Sequence, residues 1–330
     1  MKKQITVICQ RAYGIPEEVA RVEQWELPDI EPNQVLVEMK AAPINPVDIN
    51  VLEGKYAILP PLPAVLGVEG VGVVAQTGGA VSNLRVGQYV IAPSRRGTWC
   101  EAYIADASEL IPLPSDIPVE QAAMLVINPP TAWRMLEDFV TLKPGDWLIQ
   151  NAANSAVGRF VIQIARLRGV KTVNIVRRVE LISELRAEGA DIVVTDDAPL
   201  SKQILELTGG GNVQLGLNAV GGNSAHEIAK SLGDHATLVT YGAMGRQPLQ
   251  IANGLLIFKD LRFRGFWINA WYKRVDVQAI QEMFAQVFPL VKAGKLKAPV
   301  EKTYPLTDAR NAVIHASQSR RKGKILFAMN

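Results

Sequence analysis

The chain has 330 residues, 48% of them hydrophobic and 20% charged, with a net charge of +3. That length suits two domains rather than one core, and so small a basic excess gives no argument for nucleic acid. Two cysteines, Cys9 and Cys100, lie far apart, and three histidines, His226, His235 and His315, fall in the second half; this excludes a disulfide framework or cysteine-rich zinc lobe and leaves few ligands for a transition metal.

The N-terminal run ITVIC is too short for a secretory signal and reads as a first strand. No apolar run approaches the roughly 18 residues of a membrane span. The chain starts directly at that strand, and the expectation is a cytoplasmic protein. Short apolar runs follow (QVLVEMKAA, GVGVVAQTG, QYVIAP, CEAYIA, ELIPLP), separated by Pro and Gly as in a small all-β, barrel-like domain. Between the first two of these lies INPVDINVLEGKYAILPPLPAVLGVEGVGVV, from Ile44 to Val74, which carries Asn45, a Gly-Lys-Tyr turn ending at Tyr56, and Glu69.

From about Val119 the pattern changes. VEQAAMLVINPPTAWRMLEDFV is helical in period, interrupted at Pro129-Pro130, and LKPGD turns into a strand over residues 146–151. Strands and helices then alternate: helix 155–168, strand 172–176, helix 180–188, strand 191–194, a helix around 202–207, the strand VQLGLNAV, helix 224–232, and the strands ATLVTYG and LRFRGFWI. Alternation at these lengths implies a parallel sheet covered on both faces. The amphipathic VQAIQEMFAQVFPLVKAG comes next, and the last thirty or so residues read as strand, helix and a closing strand that returns to the first domain. The expected domains are 1–122, 123–292 and a C-terminal return, 293–330.

The loop Asn151-Ala-Ala-Asn-Ser-Ala-Val-Gly158 joins the first strand and helix of the alternating region. A phosphate needs free N–H groups at a helix N-terminus and small side chains that let it approach, and Asn154, Ser155, Ala156, Val157 and Gly158 supply them. The loop does not match GxGxxG; only Gly158, the helix-packing glycine, remains. An ordinary strand–helix turn of small residues is the plain alternative. The second strand ends in Arg177-Arg178, where an NAD-preferring domain places a carboxylate. Guanidinium forks there match a 2′-phosphate, so NADPH is favoured, against the plain alternative of a solvated arginine pair. Tyr241-Gly242-Ala243-Met244 and Phe266-Trp267-Ile268 end two later strands, where ligands of such sheets sit; core or dimer packing accounts for them equally well.

Taken together, these motifs resemble the medium-chain dehydrogenase/reductase superfamily and, within it, the mitochondrial-type trans-2-enoyl-thioester reductases. The likeness runs nearly end to end: INPVDINVLEGKY with LPAVLGVEGVG, LVINPPTAWRML, IQNAANSAVGRFVIQIA, VTYGAMGRQP and LIFKDLRFRGFWI. It implies a GroES-like β-barrel catalytic domain joined to a Rossmann doubly wound parallel sheet. It implies a zinc-free enzyme: a zinc alcohol dehydrogenase has a thiolate and an imidazole where this chain has Ala42-Pro43-Ile44 and Gly67-Val68-Glu69. NADPH would deliver hydride to the β-carbon of an enoyl thioester, on coenzyme A or acyl carrier protein, in fatty-acid synthesis. Tyr56 would stabilise the enolate and supply or relay a proton, as a neutral donor placed where charge develops. Spacing alone equally allows Tyr56 to be a loop aromatic. Asn45 would position that phenol or the thioester carbonyl, Asn128 would contact the nicotinamide side, and Lys324 would reach the cofactor. Glu69, with no metal to tune, reads as structural.

Two departures from the family pattern concern the cofactor. Ala156 stands where Gly is frequent, and Arg177-Arg178-Val179 stands for Arg-Asp-Arg. The basic clusters Arg95-Arg96, Lys273-Arg274 and Arg320-Arg321-Lys322 are candidates for coenzyme A phosphates or an acidic carrier protein, with solvated faces as the plain alternative. A homodimer through sheet edges near residues 261–268 is expected from the resemblance. The alternatives in function are a zinc-free NADPH:quinone oxidoreductase and an NADPH-binding protein without turnover.

Overall fold

The computed structural model describes residues 3–93, 97–197 and 199–329. The chain divides into two compact units, Met1–Ile127 with Tyr272–Asn330, and Asn128–Trp271. The first part of the first unit holds β1 (Gln4–Gln10), α1 (Pro16–Val19), β2 (Arg21–Glu26), β3 (Gln34–Pro43), α2 (Pro46–Leu52), β4 (Ala64–Val65), β5 (Val71–Thr77), β6 (Tyr89–Ile91), β7 (Ala102–Asp106), β8 (Ile111–Pro112) and α3 (Val119–Ala122). The second unit contributes α4 (Asn128–Met135), β9 (Trp147–Gln150), α5 (Ala156–Leu167), β10 (Lys171–Val176), α6 (Leu181–Ala187), β11 (Ile192–Thr195), α7 (Leu200–Leu207), β12 (Val213–Asn218), α8 (Gly222–Ser231), β13 (Thr237–Thr240), β14 (Gln247–Leu249), α9 (Asn253–Lys259) and β15 (Arg262–Gly265). After α10 (Ile268–Arg274) the chain adds α11 (Val277–Lys292), β16 (Val300–Pro305), α12 (Ala309–Ser317) and β17 (Lys324–Ala328) to the first unit.

In the first unit a sheet runs β16-β17-β3-β5-β6-β8, with β7 on the other edge of β3, beside a smaller sheet β2-β1-β4. Along β3 half-buried and buried residues alternate until the strand sinks fully at Ala41, Ala42 and Pro43, the period of a strand with one face on a core. β17 lies antiparallel to that buried end, with Leu326 opposite Pro43 and Phe327 opposite Ala42. Phe327 meets Trp99 edge-on, ring centroids 5.0 Å apart, and both are fully buried. This register delivers residue 324 beside residue 45, because the Ile44 N–H donates to the Ile325 carbonyl at 2.9 Å.

The second unit holds a six-stranded sheet in the order β11-β10-β9-β12-β13-β15, parallel at every pairing. Renumbered in chain order this is 3-2-1-4-5-6, the Rossmann arrangement, with its reversal between β9 and β12. β9 and β12 are buried almost throughout, as expected of strands covered on both faces.

Three sequence expectations shift. Pro129 and Pro130 begin α4 rather than interrupt a longer helix, because a proline lacks only an N–H that the first turn leaves unpaired anyway. The strand expected over 261–268 stops at Gly265, and Ile268 opens α10. The units part at 127/128 and 271/272 rather than at 122/123 and 292/293. The amphipathic α11 belongs to the first unit, where Lys292 pairs with Asp116 at 2.5 Å and Ala298 exchanges hydrogen bonds with Gln121.

Candidate functional site

The first unit brings Asn45 and Lys324 together. Asn45, 3% exposed, is the N-cap of α2, and its N–H donates to the Asp48 carboxylate at 2.8 Å. The Lys324 ammonium donates to Asn45 Oδ1. On its other side Asn45 Nδ2 donates to Glu69 Oε1 at 2.9 Å. Glu69 Oε2 accepts from the Val126 and Ile127 N–H groups at 3.1 and 2.8 Å. Burial pushes the Glu69 carboxyl above its ordinary range, opposed by Lys324, Asn45 and the two backbone donors. Burial likewise lowers Lys324 to about 8 against the pull of Glu69.

Tyr56 sits half-buried in the loop after α2, packed against the core of the first unit. The loop is shaped by Gly54, whose φ of +70° favours glycine. Tyr13 holds it from outside: a Cβ at Gly54 would come within 2.9 Å of Tyr13 Cβ, and the Tyr13 hydroxyl donates to the Pro60 carbonyl at 3.1 Å. Sequence reading missed Tyr13, because a turn aromatic more than forty residues upstream carries no mark of what it touches.

In the second unit the candidate nucleotide residues gather at the carboxyl ends of the strands. Asn154 to Gly158 form the loop from β9 into α5, and the Ser155 hydroxyl caps that helix by accepting from the Gly158 N–H at 3.1 Å. A Cβ on Gly158 would sit 2.5 Å from the Ala153 carbonyl oxygen, so the cradle is closed to any side chain there. Arg177 and Arg178 follow the last residue of β10, Arg177 exposed and Arg178 half-buried within 3.3 Å of Glu180. Tyr241 to Met244 follow β13, with Met244 55% exposed. The Tyr241 hydroxyl is fully buried beside Ser155, and burial raises its phenol. Phe266 and Trp267 follow β15, and Asn128, 5% exposed, starts α4.

An amide network that sequence reading passed over ties these strand ends together. Asn151 Nδ2 donates to Asn218 Oδ1 at 2.8 Å and to the Ser224 hydroxyl at 2.9 Å. Asn151 Oδ1 accepts from the Ala219 N–H at 2.7 Å, and Asn218 Nδ2 donates to the Thr240 hydroxyl at 3.1 Å. Buried amides with every partner in place hold backbone rigidly. The available signal was an asparagine ending each of two apolar strands. Arg159, 2% exposed, pairs with Glu184 and Glu188 and donates to the Asn154 carbonyl at 3.2 Å, anchoring the loop from behind.

The closed glycine cradle, the N-terminal N–H groups of α5 and the paired guanidiniums fit a phosphorylated dinucleotide. The donor set does not fit zinc. Glu69 already accepts three hydrogen bonds, and burial raises the Cys9 and Cys100 thiols to about 12, far from the thiolate that zinc takes. Among the described residues, no group of three or more His, Cys, Asp and Glu side chains is placed to hold a metal ion.

Family models of an alcohol dehydrogenase GroES-like domain and of a zinc-binding dehydrogenase match residues 31–115 and 188–326. The mitochondrial enoyl-[acyl-carrier-protein] reductase of Xenopus tropicalis is 43% identical over 310 residues, covering 91% of this chain and 89% of that protein. The chain belongs to the enoyl-thioester reductases of the medium-chain dehydrogenase/reductase superfamily. Among solved structures, a complex of Etr1p with NADP and crotonyl-CoA is similar at a TM-score of 0.91 and 30% identity, covering 99% of this chain and 100% of that one. A putative NADPH:quinone reductase from Bacillus thuringiensis is similar at a TM-score of 0.92 and 30% identity, with the same coverage.

The enoyl-thioester reductase family corrects one expectation. The chain was expected to be cytoplasmic, but its relative from Xenopus tropicalis is named as a mitochondrial protein. A fold that opens on a strand is blind to its address, since targeting is read from segments outside the packed core. Arg95 and Arg96, candidates for a carrier contact, lie outside the described residues. Of the other basic clusters, Lys273, Arg274, Arg320 and Lys322 are exposed, whereas Arg321 is half-buried and donates to the Gln318 and Gly323 carbonyls. No helix among the described residues is long and apolar enough to cross a membrane.

Proposed function

We propose that this chain reduces the 2,3 double bond of trans-2-enoyl thioesters with NADPH, and that Tyr56 is its catalytic residue. The cofactor, when bound, supplies hydride to the β-carbon; the α-carbon takes a proton. The chain's own task is to hold the negative charge that develops on the thioester oxygen. A phenol does this as a neutral hydrogen-bond donor aimed where charge appears, and it supplies or relays the proton. Asn45 positions the phenol or the carbonyl. Asn154–Gly158, Arg177 and Arg178 hold the phosphates, and Asn128, Tyr241–Met244 and Phe266–Ile268 border the nicotinamide.

The observation that carries this reading is a half-buried tyrosine on a turn clamped by Tyr13 beside α2, in a unit whose donor set does not fit zinc. The thioester is carried on coenzyme A or acyl carrier protein, the exposed basic residues suiting either. The molecule works as a homodimer through the free edge of β15. A second reading, NADPH:quinone reduction, is favoured by the likeness to a quinone reductase. Loss of NADPH absorbance on adding crotonyl-CoA, with little loss on adding a quinone, is the expected result. Turnover of the quinone alone would reverse the order of the two readings.

A further inference from the structure

Glu69, Asn45 and Lys324 form a buried chain whose hydrogen-bond directions are fixed by its ends. Lys324 only donates and an ionised Glu69 only accepts, so the amide between them has one orientation: Nδ2 toward Glu69, Oδ1 toward Lys324. Glu69 is 1% exposed and Lys324 8%, and no other Lys or Arg is buried among the described residues of the first unit. Glu69 itself cannot turn, because Oε2 is held by the N–H groups of Val126 and Ile127. The far side of that turn is fastened as well, by the Tyr272 hydroxyl donating to the Val126 carbonyl at 2.7 Å.

We propose that Glu69 is a positioning residue of the reaction: acting through the Asn45 amide, it holds the Lys324 ammonium in place and charged, and so sets the alkaline limit of turnover. The proposal rests on the enoyl-reductase reading of the site. The charged and titratable groups facing Lys324 are Glu69 and Asp48, which favour its charge, and Arg321, which opposes it. Burial, with the Glu69 charge second, pushes the Tyr272 phenol well up, so it stays a neutral donor. The ammonium that donates to Asn45 Oδ1 is present below about pH 8 and lost as pH rises through it, and Asn45, which positions the phenol or the carbonyl, loses that hold with it.

Glu69→Gln is nearly isosteric yet reverses the chain. The Gln carbonyl must take the two backbone N–H groups, so its NH₂ faces Asn45. Asn45 then has to offer its oxygen there and turn its own NH₂ against the ammonium. Asn45→Asp added to Glu69→Gln restores an acceptor toward both neighbours and returns the lost negative charge. Asp also remains a good N-cap for α2.

The test is the pH profile of kcat with NADPH and crotonyl-CoA, beside the titration of the Lys324 ε-carbon in 13C-lysine-labelled protein, its signal assigned by Lys324→Met. In wild type both should break near pH 8. In Glu69→Gln both should move down by about one unit, roughly a tenfold loss in the charged fraction above the break, and in the double variant both should move back up. A uniform fall in kcat with the limb and the lysine signal unmoved would overturn the proposal, as would a double variant that melts like wild type but whose pH break and lysine signal do not move back up, whatever the height of its kcat. If crotonyl-CoA is not turned over but the lysine signal shifts as described, the substrate reading fails and the positioning of Lys324 stands. If Glu69→Gln does not fold, Glu69→Asp, one methylene too short to reach both the Val126–Ile127 turn and Asn45, should also move the lysine titration down; a titration unmoved there would equally overturn the proposal.

Discussion

A single missing side chain closes the nucleotide loop. A Cβ on Gly158 would lie 2.5 Å from a backbone oxygen, a contact no rotamer relieves. Gly158→Ala should cost about 1–3 kcal/mol of stability, as overpacking does. It should also raise the NADPH dissociation constant at least roughly tenfold by spreading the loop from α5; calorimetric melting and fluorescence titration check the two. That glycine was legible in the sequence because a turn between strand and helix needs it. Tyr56 stood out as a candidate through what its segment lacks, and Asn45 through the resemblance alone. Glu69 was legible only as a structural acid with no metal to tune. Its partners lie at positions 45, 126, 127 and 324, and separation of that order is invisible without the register of β17 on β3.

The elements were easier to read where their period was strong. Residues 155–168, expected as a helix, are α5 within a residue or so at each end, because its apolar face and its Ser155 cap agree. The alternation of β9 to β15 gave the parallel sheet for the same reason. β2 escaped notice: its sequence RVEQWE is exposed or half-buried at every position, since an edge strand beside β1 buries little. The return of β16, α12 and β17 to the first unit was expected, whereas the place of α11 was not. Its apolar stripe announces burial, and only contacts such as Lys292 with Asp116 say against what.

At the scale of the whole molecule, β15 is the last strand of the second unit's sheet among the described residues, and the elements that precede it in the chain carry exposed apolar side chains. Leu256 is 44%, Ile257 69% and Phe258 84% exposed on α9, and Leu249 on β14 is 42% exposed. An end strand and exposed apolar side chains are each features that call for a partner. Phe258→Asp should convert the expected homodimer to a monomer in sedimentation equilibrium without lowering the melting of the fold; a wild-type chain that sediments as a monomer would refute the dimer. On the proposed mechanism the chemistry turns on the Tyr56 hydroxyl. Tyr56→Phe deletes one oxygen and leaves the ring packed, so the most direct measurement is its kcat with NADPH and crotonyl-CoA at wild-type NADPH affinity. A fall of about 100-fold or more, the loss typical of one oxyanion donor, is expected, and an unchanged rate would contradict a phenol as the group that holds the developing charge.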